Sequence, residues 1–149
     1  MAKSVDIRKL KAVFANILAK QRKYSNTIDS FEVRFDYDSF CAWFSDQFAV
    51  QNGACFYCRT SQLDISRLLD AGLLKSKRAT RGRSLEVDRI NARENAYDPT
   101  NCVLACYLCN NDKSDIVSSE DYLRFFAKPK GDYLKHLLAR IESPGTAAE

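Results

Sequence analysis

The fold of this chain is decided by three short stretches: CFYC at residues 55–58, SLEVDR at 84–89 and CYLCNNDK at 106–113. Two of them contain Cys-x-x-Cys pairs, in which a two-residue spacer lets both sulfurs face one ion about 2.3 Å away. Four thiolates complete the closed tetrahedral set of a structural zinc site. The predicted zinc ligands are therefore Cys55, Cys58, Cys106 and Cys109. Because the pairs lie far apart in sequence, the ion would join two segments into one local core, and its binding free energy would become folding free energy.

A disulfide pair and a redox-active Cys-x-x-Cys are the competing interpretations of these cysteines. We favour zinc, because the chain has no apolar signal stretch at its start and neither pair lies in a strand-rich, thioredoxin-like pattern. The two remaining cysteines, Cys41 and Cys102, are predicted to be small buried apolar residues. Cys102 lies close enough to the second pair to replace one of its members.

Length and composition predict a single soluble domain. The chain has 149 residues, of which 46% are hydrophobic, and its sequence contains no apolar stretch long enough to cross a membrane. We therefore expect a cytoplasmic protein that makes no membrane contact.

Hydrophobic periodicity predicts two helices and a short strand before the first Cys-x-x-Cys pair. Apolar residues three and four apart predict an amphipathic helix over residues 4–23. A second helix follows Asp36, a suitable N-cap, and ends at Asn52-Gly53. Its aromatic stripe is predicted to be core rather than a base-stacking surface. Between the helices, alternation predicts a strand containing Phe31, Val33 and Phe35.

The middle of the chain predicts a helix and a hairpin. The helix covers residues 65–74, with Gly72 near its end. Leu85 and Val87 alternate with acidic residues, which predicts a strand whose antiparallel partner is residues 103–105. The second Cys-x-x-Cys pair is then predicted to open a helix at Asn110.

The C-terminal part predicts two short helices. Ser118 resembles a capping-box start for a helix to about Ala127. Pro129 and Gly131 are predicted to break it, so that a last helix covers residues 132–141. The tail from Ser143 is expected to be disordered.

A cationic run precedes SLEVDR within a net charge of +4. Such a run is usually a solvated loop. Because phosphates dominate affinity for nucleic acids, a cationic run that enters a metal site also suits DNA as a substrate. The candidate DNA-binding residues are Lys75, Lys77, Arg78, Arg81 and Arg83.

Residues 55–114 resemble the HNH, or ββα-metal, endonuclease family. The resemblance is carried by the order of the motif: a strand that ends in an acidic residue, a middle Asn, and a Cys-x-x-Cys pair that leads into a helix. The matching positions are the four cysteines, Asp88, Asn101, Asn110 and Lys113. Tyr97 and the pair Asp88-Arg89 are similar to an Asp-Arg variant of the family that includes a rare-cutting type II restriction endonuclease.

The resemblance implies an α+β fold with a zinc-stabilised ββα-metal core, a two-stranded antiparallel hairpin plus a helix, flanked by several α-helices. It implies one HNH domain over residues 1–149. The expected parts are a helical N-terminal part at 1–54, the core at 55–117, C-terminal helices at 118–142 and a tail at 143–149.

The resemblance also implies a second, catalytic metal ion. By position, Asp88 would be its carboxylate ligand and Asn110 a second ligand from the helix. Asn101 would tie the loop between the strands to its surroundings, and Lys113 completes the candidate catalytic set. Hard oxygen ligands that leave water positions open suit Mg²⁺ or Mn²⁺. Such an ion offsets charge that grows on the scissile phosphate and the departing 3′ oxygen.

Arg89 stands where most members of the family have the histidine that takes a proton from the attacking water. A guanidinium stays protonated, so Arg89 cannot be this base. It would instead hold a phosphate oxygen, and the competing interpretation is an ion pair with Glu86 or Glu94.

Tyr97 is the candidate for the role that the missing histidine leaves. It would act either as a base with a lowered pKa or by orienting the water. The competing interpretation is a turn aromatic packed beside Pro99. The single histidine, His136, lies in the last predicted helix and is expected to be structural.

These residues predict a metal-dependent DNA endonuclease that hydrolyses phosphodiester bonds in restriction, phage defence or a mobile element. If it cuts both strands, symmetry favours a homodimer. Two alternatives stay open: a non-catalytic, zinc-dependent nucleic-acid-binding module and a junction-resolving nuclease. The presence of both Asp88 and Asn110 favours an enzyme, since a non-catalytic binding module needs no pair of oxygen ligands for a second metal ion.

Overall fold

A computed structural model describes residues 5–28, 30–76, 78, 81–94 and 96–143. Its helices are α1 Ile7–Tyr24, α2 Tyr37–Val50, α3 Gln62–Asp70, α4 Tyr107–Lys113, α5 Ser119–Asp121 and α6 Lys128–Glu142, with a 3₁₀ turn at Ala92–Glu94 and a π-helical segment at Tyr122–Ala127. Its strands are β1 Glu32–Val33, β2 Glu86–Arg89, β3 Ala96–Tyr97 and β4 Cys102–Ala105.

The predicted hairpin is present as β2 and β4. The two strands pair antiparallel, with Val87 opposite Leu104 and Asp88 opposite Val103. Every residue of β4 is buried, which fits its uninterrupted apolar sequence. The helix α4 follows β4 and packs against β2. The hairpin and α4 form the ββα unit, and the α+β fold predicted from the sequence is confirmed.

The first two helices pack through an aromatic core. Asp6 caps α1, and Asp36 forms a capping box with Ser39 at the start of α2. The predicted start of α1 at residue 4 lies outside the described residues. Aromatic rings fill the space between these helices and β1, as the sequence predicted. The buried rings are Phe14, Phe35, Phe40, Phe44 and Phe48.

The helical part contacts the ββα unit through β1 and through the end of α2. The short strand β1 pairs in parallel with β3, with Val33 opposite Tyr97. At the end of α2, the buried amide of Gln51 donates to the backbone oxygen of Leu104 at 2.7 Å and accepts from its backbone nitrogen at 3.0 Å. The Gln51 side chain thus satisfies the free edge of β4 in place of another strand.

The helix α3 begins and ends earlier than predicted. Ser61 caps its start by accepting from the Asp64 backbone nitrogen. At its end, Gly72 has a φ of +69°, and the Leu73 backbone nitrogen donates back to the Leu68 oxygen. This arrangement is a Schellman motif, which ends a helix where glycine adopts the left-handed conformation. Gly72 therefore follows the helix instead of lying within it.

The prediction that α4 opens at Asn110 is wrong by one turn. The helix begins at Tyr107 because the sulfur of Cys106 acts as its N-cap and accepts from the Cys109 backbone nitrogen. Both cysteines of the second pair therefore belong to the start of the helix.

The predicted break at Pro129 and Gly131 is also wrong. Ser118 caps the helical run as predicted, but helical structure continues from Ser119 to Glu142. The π-helical segment changes the hydrogen-bond register just before Pro129, which then lies in the first turn of α6, where a missing N–H is tolerated. The expected tail disorder concerns residues 144–149, which lie outside the described residues.

Gly131 lies in α6 because the backbone of the first cysteine pair approaches it closely. A Cβ at this position would lie 2.7 Å from the Cys58 carbonyl oxygen. Helix propensity alone would make Gly131→Ala stabilising by about 1 kcal/mol. We expect instead a loss of about 1–3 kcal/mol from overpacking, measured by urea unfolding of the zinc-loaded protein. Lys135→Ala, at an exposed position of α6, is the control, and equal or greater stability of Gly131→Ala would contradict the close packing.

No helix within the described ranges is both long and apolar enough to span a membrane.

Candidate active site and metal centre

The four predicted cysteines form one buried cluster. One sulfur from each of Cys55, Cys58, Cys106 and Cys109 lies within 4.8 Å of all the others. The Cys58 and Cys106 sulfurs are 3.8 Å apart, and a tetrahedron with Zn–S bonds of about 2.3 Å has edges of about 3.8 Å. Four soft sulfur ligands in this geometry fit zinc. The cluster can therefore hold a structural zinc ion.

The four thiols act on one another. Hydrogen bonding to Cys106 lowers the pKa of Cys55 and of Cys58, whereas contacts within the cluster and burial leave the pKa values of Cys106 and Cys109 raised. Thiolates are the form that binds zinc. Cys102 is buried but does not belong to the cluster, so it does not replace a member of the second pair. Cys41, which was predicted to be buried, is only partly so.

A cleft of about 440 Å³ opens beside the ββα unit. Its lining residues come from α1, β2, β3, α4 and the turn after α4, together with Phe31 just before β1 and Arg81 in the loop before β2. They are Lys20, Tyr24, Phe31, Arg81, Val87, Asp88, Arg89, Tyr97, Asn110, Asn111, Ser114 and Asp115. Four residues predicted for the catalytic site lie together here: Asp88, Arg89, Tyr97 and Asn110.

Asp88 is held on one side by two buried groups. The Tyr57 hydroxyl donates to Oδ2 at 2.6 Å, and the Lys113 ammonium lies 3.3 Å from the same oxygen. Burial raises the pKa of Tyr57, as does the neighbouring Asp88, so the phenol stays protonated and acts as the donor. Burial also raises the pKa of Asp88, and the contacts with Tyr57 and Lys113 oppose that shift. Within the described part of the chain, Oδ1 of Asp88 accepts no hydrogen bond, so it is available to a ligand.

Asn110 is oriented in the same way by Glu86. Its Nδ2 donates to Glu86 Oε2 at 2.7 Å, and a carboxylate can only accept, so this contact fixes which end of the amide is nitrogen. Arg81 binds both oxygens of Glu86, at 2.8 and 3.0 Å. Burial raises the pKa of Glu86, but hydrogen bonds from Arg81 and Asn110 outweigh it and leave that pKa lowered. The Oδ1 of Asn110 is left free of described hydrogen-bond partners, like that of Asp88.

Two residues that orient this pair, Tyr57 and Glu86, were not predicted from the sequence. Tyr57 lies inside the first Cys-x-x-Cys pair, so the same short turn supplies two metal ligands and the contact to Asp88. In the sequence, this contact was indicated only by the position of Tyr57, an aromatic residue with a hydroxyl group, between the two cysteines. Glu86 precedes Asp88 by two residues, and the period of a strand places both on one face. That alternation could have identified Glu86 as a neighbour of the site.

Arg89 lies between two aromatic rings at the cleft. Its guanidinium carbon is 5.3 Å from the centre of the Phe31 ring and 5.1 Å from that of Tyr97. It also forms an ion pair with Asp115 at 3.2 Å, whereas Glu86 is engaged by Arg81. Burial raises the pKa of Tyr97, and the nearby Arg89 opposes this shift without reversing it.

The other predicted catalytic residues lie behind the cleft or away from it. Asn101 is buried and donates to the backbone oxygens of Asn91 and Ala96, while its own oxygen accepts from the Asn91 nitrogen. These contacts tie down the loop between β2 and β4, as the resemblance implied. Lys113 is 1% exposed and also donates to the Arg89 backbone oxygen, so it supports Asp88 from inside. His136 is exposed on α6.

The structure separates the four described residues of the cationic run. Arg81 lines the cleft, where it binds Glu86 and Asn111. Arg83 pairs with Asp70 at 2.7 Å, while Lys75 and Arg78 are exposed. Lys77 lies outside the described residues. Only Arg81, among the described members of the run, is therefore brought to the candidate catalytic residues.

Comparison with solved structures identifies the fold. This chain is similar to the rare-cutting HNH restriction endonuclease PacI, with a TM-score of 0.66 and 24% sequence identity over 84% of this chain and 78% of the PacI chain. The chain has the fold of an HNH endonuclease. A scan against protein-family models and a search of curated proteins found no match. The ββα-metal fold that the sequence motif implied is thus confirmed.

Proposed function

We propose that this chain is a divalent-metal-dependent DNA endonuclease that hydrolyses phosphodiester bonds. One observation carries the proposal: Asp88 and Asn110 line the same cleft, and each is held by a partner that leaves one side-chain oxygen available. A pair of oriented hard-oxygen donors next to a buried tetrathiolate cluster suits a catalytic metal beside a structural one. PacI is described as an HNH restriction endonuclease, which supports DNA as the substrate.

In this proposal, Asp88 and Asn110 hold Mg²⁺ or Mn²⁺, and zinc occupies the cysteine cluster. The catalytic ion would stabilise the charge that develops on the scissile phosphate and the departing 3′ oxygen. The chain's own part is to keep both oxygens in place through Tyr57, Lys113 and Glu86, so that no reorganisation is needed during reaction.

Arg89 contacts a phosphate oxygen of the substrate in this proposal. The side chain of Arg89 is 11% exposed and that of its partner Asp115 is 71% exposed. Asp115 therefore lies on the solvent side of the pair, where a phosphate of the substrate can approach the guanidinium. The flanking rings of Phe31 and Tyr97 limit the directions in which the guanidinium can move.

Tyr97 orients the attacking water in this proposal and does not act as its base. Burial raises the pKa of Tyr97, which favours a protonated phenol. Losing one hydrogen bond to a charged or developing-charge group costs about 1.5–3 kcal/mol. We therefore expect Tyr97→Phe to reduce the cleavage rate by about 10-fold to 100-fold at saturating DNA. A rate loss of several further orders of magnitude would identify Tyr97 as the base, and an unchanged rate would remove it from the mechanism.

The biological setting that we propose is restriction, phage defence or a mobile element. Cutting of both strands would be explained by a homodimer, since a two-fold axis places two identical clefts on opposite strands. Light scattering of the protein with and without a DNA duplex tests this arrangement.

The proposed function is tested with zinc-loaded protein and supercoiled plasmid. Cleavage is expected with Mg²⁺ or Mn²⁺ and not when both are omitted. DNA binding without cleavage under every metal condition would contradict the proposal and favour a non-catalytic binding module. Strong preference for a branched over a linear duplex would instead favour a junction-resolving nuclease.

A further inference from the structure

The N-terminal helix α1 forms one wall of the candidate cleft. Lys20 and Tyr24, both in its last two turns, line the cleft together with Asp88 and Asn110. Packing against α2 and β1 holds α1 in this place. More than sixty residues separate α1 from Asp88 along the chain, so no local motif indicated this contact.

The cationic side chains that line the cleft differ in how their charge is compensated. Arg81 binds Glu86 at 2.8 Å, and Arg89 pairs with Asp115 at 3.2 Å. Lys20 is near enough to Glu86 to help lower the pKa of that carboxyl, but within the described part of the chain no carboxylate lies within ion-pair distance of its ammonium. Since Glu86 is already bound by Arg81, Lys20 adds positive charge to the cleft that contains Asp88 and Asn110.

Lys20 belongs to a longer cationic stripe, here called the α1 stripe, which consists of Lys9, Lys20 and Lys23. All three side chains are exposed, and the Lys23 ammonium lies 5.1 Å from the centre of the Tyr24 ring, which itself lines the cleft. Lys9 is eleven residues before Lys20, about three turns, so both lie on one side of the helix. The stripe spans roughly 21 Å, at about 1.5 Å per residue.

Charge and length together fit the stripe to a DNA backbone. Phosphates of one strand follow each other about every 3.4 Å along a duplex, so roughly six of them pass along a stripe of this length. Exposed lysines on a helix are ordinarily only solvated. The α1 stripe differs because one of its ends forms the wall of the cleft, where a bound strand would have to continue.

We propose that the α1 stripe binds the phosphate backbone of duplex DNA next to the bond held in the cleft. This inference rests on the proposed function, because it takes DNA as the substrate. It also changes the DNA-binding assignment from the sequence, since the cationic run at residues 75–83 contributes Arg81 to the cleft, whereas α1 contributes Lys20 and Tyr24.

The test compares Lys20→Gln with Lys11→Gln by fluorescence anisotropy on a labelled duplex, without added Mg²⁺ or Mn²⁺. Both changes remove the charge of one exposed lysine from the same helix. The two lysines are nine residues apart, which is two and a half helical turns, so they lie on opposite sides of α1. Each lost phosphate contact reduces the magnitude of the slope of log K against log salt by about 0.9. At 0.1 M salt this corresponds to binding that is weaker by about 8-fold. We expect that loss for Lys20→Gln, a larger loss for the double variant with Lys23→Gln, and no change for Lys11→Gln.

The outcomes separate this inference from the proposed function. Equal affinities and salt slopes for Lys20→Gln and Lys11→Gln, in a protein that cleaves plasmid, would overturn the inference alone. A wild-type protein that neither binds nor cleaves DNA would overturn both. Tighter binding to an RNA duplex of the same sequence would contradict DNA as the partner of the stripe.

Discussion

Removing zinc is expected to unfold the ββα unit as a whole. Structural zinc sites contribute about 10–16 kcal/mol of apparent binding free energy at pH 7, which equals or exceeds the roughly 5–15 kcal/mol by which folded domains are stable. The cluster joins residues 55–58 to the start of α4. Through Tyr57 it also supports Asp88 in β2. Without the ion, the folded state would have to bury these four thiols together without the metal–sulfur bonds that compensate for it.

Hydrogen exchange followed by mass spectrometry measures this effect. After zinc is extracted, amide protection is expected to be lost in β2, β4 and α4 together, and to return when zinc is restored. Cys109→Ser should behave like the extracted protein. The matched control is Cys102→Ala, which changes a buried cysteine outside the cluster and should retain protection. Full protection in the zinc-free protein would contradict a structural role for the ion.

Asp88→Asn is expected to reduce DNA cleavage by about 10³-fold. The substitution keeps the shape of the side chain but removes the charge that would hold the catalytic cation, and metal ions contribute several kcal/mol to transition-state stabilisation. Each 1.4 kcal/mol corresponds to a factor of ten in rate. The rate is measured by single-turnover cleavage with Mg²⁺ at saturating DNA.

Two further variants make this result interpretable. Asp115→Asn removes a carboxylate from the same cleft, and we expect it to change the rate by less than about tenfold. Asp88→Asn leaves the buried ammonium of Lys113 without its counter-charge, which can cost about 3–5 kcal/mol of stability. The double variant with Lys113→Met removes that charge and should be better folded but equally inactive. If the double variant regains cleavage together with stability, Asp88 contributes to activity only by supporting the fold.

The metal cluster and the hairpin could be predicted because their signals are local. A two-residue spacer between cysteines restricts the geometry of each pair, whatever the rest of the chain does. The alternation of Leu85 and Val87 with acidic residues similarly predicted the strand β2, and the short apolar run at residues 103–105 predicted its antiparallel partner. Asp88 and Asn110 could be assigned because they are adjacent to these constrained segments.

The contacts that complete the cleft could not be predicted, because they depend on tertiary packing. Nothing near Lys20 or Tyr24 in sequence indicates that α1 approaches β2, and the contact of Tyr57 with Asp88 spans 31 residues. The break expected at Pro129 failed for a related reason. A π-helical segment changed the local hydrogen-bond register, and close packing favours Gly131 where propensity would not.

The central claim is that Asp88 and Asn110 bind one hard cation next to the zinc-holding cluster. Paramagnetic line broadening tests it directly, because trace Mn²⁺ weakens the amide signals of residues close to its binding site even when binding is weak. In zinc-loaded, ¹⁵N-labelled protein, signals from the C-terminal end of β2 and the middle of α4 should broaden first, and Asp88→Asn should abolish that effect. Broadening centred elsewhere, or unchanged by the substitution, would contradict the account.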